Sequence, residues 1–195
     1  MTDNGEHLRI VAHELGGHAL TARSLGYRVR TVSTRRTVPG APAGWVDHVE
    51  VAETFAGSVD KITILLAGEV GELLLRGQIP SGYWHDVDGD ELLTESALTA
   101  ALHLMDDQLE AGIIYMLQTD GRPGPNDREN AEREALAAAG EERAILLSLC
   151  AARARRIVAA NAALAIALFP DVMLRPLLTG AELETLIAAQ TAEGG

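Results

Sequence analysis

Aromatic residues are scarce in this chain: Phe, Trp and Tyr together make up 4% of its 195 residues. A β-sandwich core built on rings is disfavoured at that content, whereas the many Ala and Leu within a 47% apolar composition favour packed helices. Cysteine is nearly absent. The single Cys150 has no partner for an internal disulfide and lies in an apolar helical run, a pattern of reducing compartments. Positive charge is in deficit: 16 Lys and Arg against 28 Asp and Glu leave a net charge of −12, which argues against a nucleic-acid partner. No Gly-x-x-x-x-Gly-Lys-Ser/Thr phosphate loop occurs, so ATP hydrolysis is not expected. The first residues lack the basic and apolar regions of a signal peptide, and the most apolar run, Ile157 to Phe169, is interrupted by Asn161 and too short for a bilayer. The expectation is a cytoplasmic protein without a membrane partner. One domain covers 1–195, with a metal-site half over 1–120 and a helical half over 126–195.

What is present is concentrated in Ile10-Val11-Ala12-His13-Glu14-Leu15-Gly16-Gly17-His18-Ala19-Leu20. Two histidines bracket a glutamate inside a run that otherwise reads as a buried helix. His-Glu-x-x-His puts both imidazoles on one helical face to hold zinc, with the glutamate as general base. Here His13 and His18 are five positions apart instead of four. On a regular helix that separates the rings by roughly 140°, too wide for one tetrahedral ion. One residue absorbed as a π-bulge restores the alignment, and Gly16-Gly17, tolerant of irregular backbone, marks the place for it.

Along the chain, Asp3 and Glu6 form a capping box for a first helix ending near Gly26. The β-branched stretch 27–36 and the stretch 45–51 predict two strands of a small ribbon that lies against helices and whose open edge suits an extended peptide. His48 lies on the second strand, as a surface residue or an alternative ligand. Apolar residues recur at helical spacing over 58–76, and Gly77 closes that helix. The loop 78–90 carries Asp86, Asp88 and Asp90 ahead of a helix over 90–118. These acids are candidates for a third ligand, a role shared with helix capping, and His48 and His85 come next. After a break at 119–125, Asn126 and Glu129 cap a helix interrupted at Gly140. A long helix then runs from Glu141 to Phe169, stopped by Pro170, and Thr179–Glu182 caps a last one ending near Gln190.

The motif His-Glu-Leu-Gly-Gly-His-Ala-Leu resembles the His-Glu-Ala-Gly-His-Ala-Leu signature of the FtsH-type zinc peptidases, with one residue inserted. A His-Glu-x-x-x-His site of this length has a precedent in dipeptidyl peptidase III, which is similar in spacing alone. The FtsH resemblance continues through Leu25-Gly26 with Val29 and Val32-Ser33, and through Leu66–Gly77, where Glu72 takes the acidic position. It extends to Ser81-Gly82-Tyr83-Trp84-His85-Asp86, and to Ile157–Leu186 near the end. It implies a mainly α fold: a helical array with a two-stranded β-ribbon, often assembled as a homo-oligomeric ring. It also implies zinc held by His13, His18 and Asp86, with Glu14 catalytic; Asp90, following Gly89, makes the better helix N-cap.

The expected activity is zinc-dependent hydrolysis of peptide bonds in a peptide or unfolded protein. Two other readings are a catalytically inactive relative that binds or regulates, and a zinc hydrolase of a small molecule.

Overall fold

The structure is a computed structural model that describes residues 4–34, 44–76, 127–175 and 177–193. The Asp3–Glu6 cap, the loop of Asp86, Asp88 and Asp90, the helix over 90–118 and the caps at Gly77 and Asn126 lie outside the described residues.

The fold is mainly α, with one small sheet. The N-terminal rod consists of α1 (Asn4–Val11), a π-helical segment (Ala12–Ala19) and α2 (Leu20–Ser24). Leu8, Val11, Ala12, Leu15, Ala19, Leu20 and Ala22 are buried along it, so the rod is a core element and its polar residues need explanation. It ends in a Schellman motif: Gly26 at φ 88° donates to the Arg23 carbonyl at 2.9 Å, and Tyr27 donates to the Ala22 carbonyl at 2.9 Å.

Strands β1 (Val29–Ser33) and β2 (Trp45–His48) pair antiparallel as expected, Ser33 opposite Trp45. Among the described residues the sheet has three strands and not two. β3 (Leu177–Thr179) pairs antiparallel on the other side of β1, giving the order β2-β1-β3. Its inward residue is Leu178, fully buried between the exposed Leu177 and Thr179. Three residues of alternation directly before a helix cap are too few to register as a strand period. Thr179 caps α6 (Gly180–Glu193) through a reciprocal box: the Glu182 carboxylate accepts from the Thr179 amide at 2.8 Å, and the Glu182 amide donates to Thr179 Oγ1 at 3.3 Å.

α3 (Phe55–Arg76) starts one turn earlier than its periodicity suggests, because Thr54 caps it, accepting from the Gly57 amide at 3.1 Å. It crosses the π segment on one side and packs against α4 (Asp127–Ala139) and α5 (Arg143–Leu174) on the others. The break between α4 and α5 falls at Gly140, with φ 54° and a short 3-10 turn, as expected. Pro170 does not stop α5; the helix runs through it to Leu174. Phe169 and Val172 on either side are buried while Pro170 faces outward, so packing holds the last turn despite the missing N–H. The apolar run therefore extends past Phe169. By length and composition, the stretch Asp127–Leu174 holds one window apolar enough to cross a membrane, 33% of it buried inside the fold.

Candidate metal centre

The inserted residue of the motif is taken up as the spacing requires. Between Ala12 and Ala19 the helix widens to a π form, and the Leu20 amide reaches back to the Leu15 carbonyl, five residues earlier. The His13 and His18 rings come together edge to face, with centroids 4.8 Å apart and planes at 78°.

The glycines of the motif serve a different purpose from the one their conformational freedom suggests. Neither Gly16 nor Gly17 has a positive φ. Gly17 is the point where the π segment crosses α3: a Cβ there would lie 2.6 Å from Gly68 Cα and 2.8 Å from the Ala67 carbonyl carbon. Gly71 faces it, with a Cβ position 2.6 Å from the Gly17 nitrogen. Small residues on both helices thus bring the backbones close enough for α3 to form the floor beneath the histidines.

Each histidine is held from behind. His18 Nδ1 donates to the Ile64 carbonyl at 2.7 Å, and His13 Nδ1 faces Glu72 Oε2 at 3.8 Å, while Glu72 Oε1 is paired with Arg9 at 3.0 Å. Anchoring Nδ1 aims Nε2 outward, the usual arrangement around imidazole ligands of metals. Both Nε2 atoms converge on one oxygen, Asp127 Oδ2, at 3.2 Å from His13 and 3.1 Å from His18. His13, His18 and Asp127 offer ligand atoms all within 4.8 Å of one another and form a group able to hold a metal ion.

The geometry fits a small tetrahedral cation. Ligands bonded to zinc at 2.0–2.2 Å stand about 3.3 Å from each other, close to the two separations measured to Asp127. Gly68 leaves room beside them: a Cβ at that position would sit 2.5 Å from both Nε2 atoms. Burial alone would lower the His13 imidazole, but Asp127, Glu72 and Glu14 outweigh it and push His13 up to about 10. Burial alone would raise the Asp127 carboxyl, yet hydrogen bonds from both imidazoles hold it well below the usual carboxylate range. An entering metal ion has to displace the His13 proton, so binding is coupled to proton release.

Glu14 lies next to the group, 7% exposed. Burial raises its carboxyl above the ordinary value, with His18 and His13 opposing. Its neighbours include β2, whose entry residue Gly44 packs on the Glu14 side chain. Glu69, one residue beyond Gly68, is raised by burial too, with His13 and Arg128 opposing.

His13, His18 and Glu14 are therefore brought to one place. His48 stands apart from them, its Nδ1 donating to the Val49 carbonyl at 2.8 Å. Asp86, Asp88, Asp90 and His85 lie outside the described residues. Asp127 carried no signal as a ligand: it stands 109 positions from His18, in the first turn of a helix where acids gather to meet the dipole. Glu72 was marked only by its place in the resemblance. No protein-family model matches the chain, and no curated protein does.

Proposed function

We propose that the protein is a zinc-dependent peptidase acting on flexible polypeptide. The observation that carries this reading is the convergence of His13 Nε2 and His18 Nε2 on Asp127 across a π turn, with the Glu14 carboxylate buried beside them. His13, His18 and Asp127 would hold the ion, and Ile64 and Glu72 keep the rings aimed. Zinc bound there supplies Lewis acidity and lowers the pKa of water. Glu14 takes the proton of the attacking water on its carboxylate and passes it to the leaving amine. Its buried setting suits that work, because a base is most effective when its pKa lies near the working pH. Among the described residues β2 is an outer strand of the sheet, and Gly44, which leads into it, adjoins Glu14. An extended substrate segment pairing with that edge would pass the site, which favours unfolded chains and peptides over folded ones.

Metal analysis of protein purified without added zinc tests the reading. The expected result is about one zinc per chain, lost in His13→Ala, His18→Ala and Asp127→Ala. Asp86→Ala is the companion variant: zinc lost there and kept in Asp127→Ala moves the third ligand to Asp86. Glu14→Gln should keep the metal and lose nearly all turnover of an unstructured polypeptide. A folded protein that takes up no zinc on titration overturns the proposal, and zinc with no turnover points to the inactive, binding reading.

A further inference from the structure

The entry to β2 bears on Glu14 more tightly than on anything else. Gly44 is buried, and a Cβ built on it would lie 2.6 Å from Glu14 Cγ, 2.9 Å from Glu14 Oε1 and 2.8 Å from Ile10 Cγ2. Its φ is not in the left-handed region, so the backbone there suits any residue. The space on the side of Glu14 and Ile10 demands glycine.

The strand has little freedom to retreat. Trp45 and Val46, next along, are paired with Ser33 and Val32 of β1, and the same two residues of β1 are paired with Leu177 and Leu178 of β3. Moving Trp45 and Val46 outward with Gly44 would disturb their pairing with β1, itself held by β3 on its other side. The Glu14 side chain, by contrast, has rotatable bonds and no backbone constraint beyond its Cβ. A methyl group at position 44 should therefore be accommodated by turning the Glu14 and Ile10 side chains rather than by moving β2.

We infer that Gly44 positions the Glu14 carboxylate, the bare backbone at the start of β2 acting as the wall that sets its direction. The inference rests on the peptidase reading for its kinetic consequence alone; the geometric statement stands by itself. The histidine Nε2 atoms meet Asp127 and lie against Gly68, and the atoms nearest a Cβ at position 44 belong to Glu14 and Ile10, so a change there should leave the metal ligands in place.

Gly44→Ala is the test, with two readouts. In metal-free protein carrying 13C-labelled glutamate, the Glu14 carboxyl resonance, assigned by its loss in Glu14→Gln, should move at fixed pH. That of Glu72, paired with Arg9, should not. In the zinc-loaded enzyme, kcat on an unstructured polypeptide should fall about a hundredfold, the scale expected for a reacting group misplaced by 1 Å, with KM and zinc content unchanged. Glu14→Asp shortens the side chain and removes the Glu14 share of the contested space, the Ile10 contact being the same in both backgrounds, so adding Gly44→Ala to it should cost less than about threefold. A double-mutant cycle reports that difference as coupling.

An unmoved Glu14 resonance, or equal losses in both backgrounds, overturns the inference. If Gly44→Ala does not fold, a folded Glu14→Asp/Gly44→Ala double variant upholds the contact, and a double variant that also fails to fold overturns it. A wild-type protein without hydrolysis, whose Glu14 resonance still moves in Gly44→Ala, overturns the peptidase reading and leaves the positioning role standing.

Discussion

At the scale of single residues, the site depends as much on missing side chains as on present ones. Gly68 lies under both imidazoles, and Gly17 and Gly71 let the two backbones meet. Alanine in place of glycine usually stabilises a helix interior by roughly 0.5–1 kcal/mol. At position 68 that gain is overridden, since the new methyl would stand 2.5 Å from each Nε2. Gly68→Ala should therefore weaken zinc binding by about a hundredfold or more, measured by competition with a chelator, while far-UV circular dichroism stays helical. Gly26→Ala is the contrasting variant. Position 26 has open space around it but a φ of 88°, so it should lose about 1 kcal/mol of stability and keep its zinc affinity. The histidine pair and Glu14 were legible in the sequence because their chemistry is local, confined to six consecutive positions from His13 to His18. Asp127 was not, because only the packing of α4 on α3 brings it near, and no spacing rule spans that interval.

At the scale of elements, helices were legible where one face is apolar over many turns, as in α3 with Ile62, Leu66 and Leu74 buried. The π segment was legible for a different reason: two candidate ligands at the wrong spacing imply the distortion that corrects it. β3 was not legible, nor the passage of α5 through Pro170, since both are decided by tertiary packing against local preference. Proline in a helix interior removes one hydrogen bond and crowds the carbonyl four residues earlier. Pro170 faces outward, so replacing it disturbs no core contact. Pro170→Ala should raise stability by about 1 kcal/mol in urea denaturation. A loss of stability would mean that proline at position 170 is needed to seat Phe169 and Val172 in the core.

At the scale of the whole molecule, α3 is tied to its neighbours by polar clips around its first turns. Glu134 of α4 accepts from Lys61 at 2.6 Å and from Ser58 at 2.7 Å, and Asp60 accepts from Arg153 of α5 at 2.6 Å and from Tyr27 at 2.8 Å. The Lys61 ammonium and the Ser58 hydroxyl hold the Glu134 carboxyl below its ordinary value of 4.5. A depressed folded-state pKa contributes stability that is present above 4.5 and lost as pH falls through the folded value. Because Lys61 is half exposed, the clip is worth less than about 1 kcal/mol. Between pH 5 and 3 the wild type should therefore lose slightly more stability than Glu134→Gln, compared by denaturant midpoints at each pH. Equal slopes would show that the pair is already dissolved in water.

The same helix that carries Glu134 begins with Asp127, and this gives the metal group a further character. An ion shared by His18 and Asp127 would act as a reversible cross-link closing a loop of 109 positions. The chain entropy of such a closure grows only as the logarithm of its length, about 0.6 kcal/mol for each doubling. Insertions or deletions between α3 and α4 therefore cost the link almost nothing through chain entropy. The register of α4 on α3 is the sensitive quantity: sliding α4 by one turn, about 5.4 Å, removes the carboxylate from reach altogether.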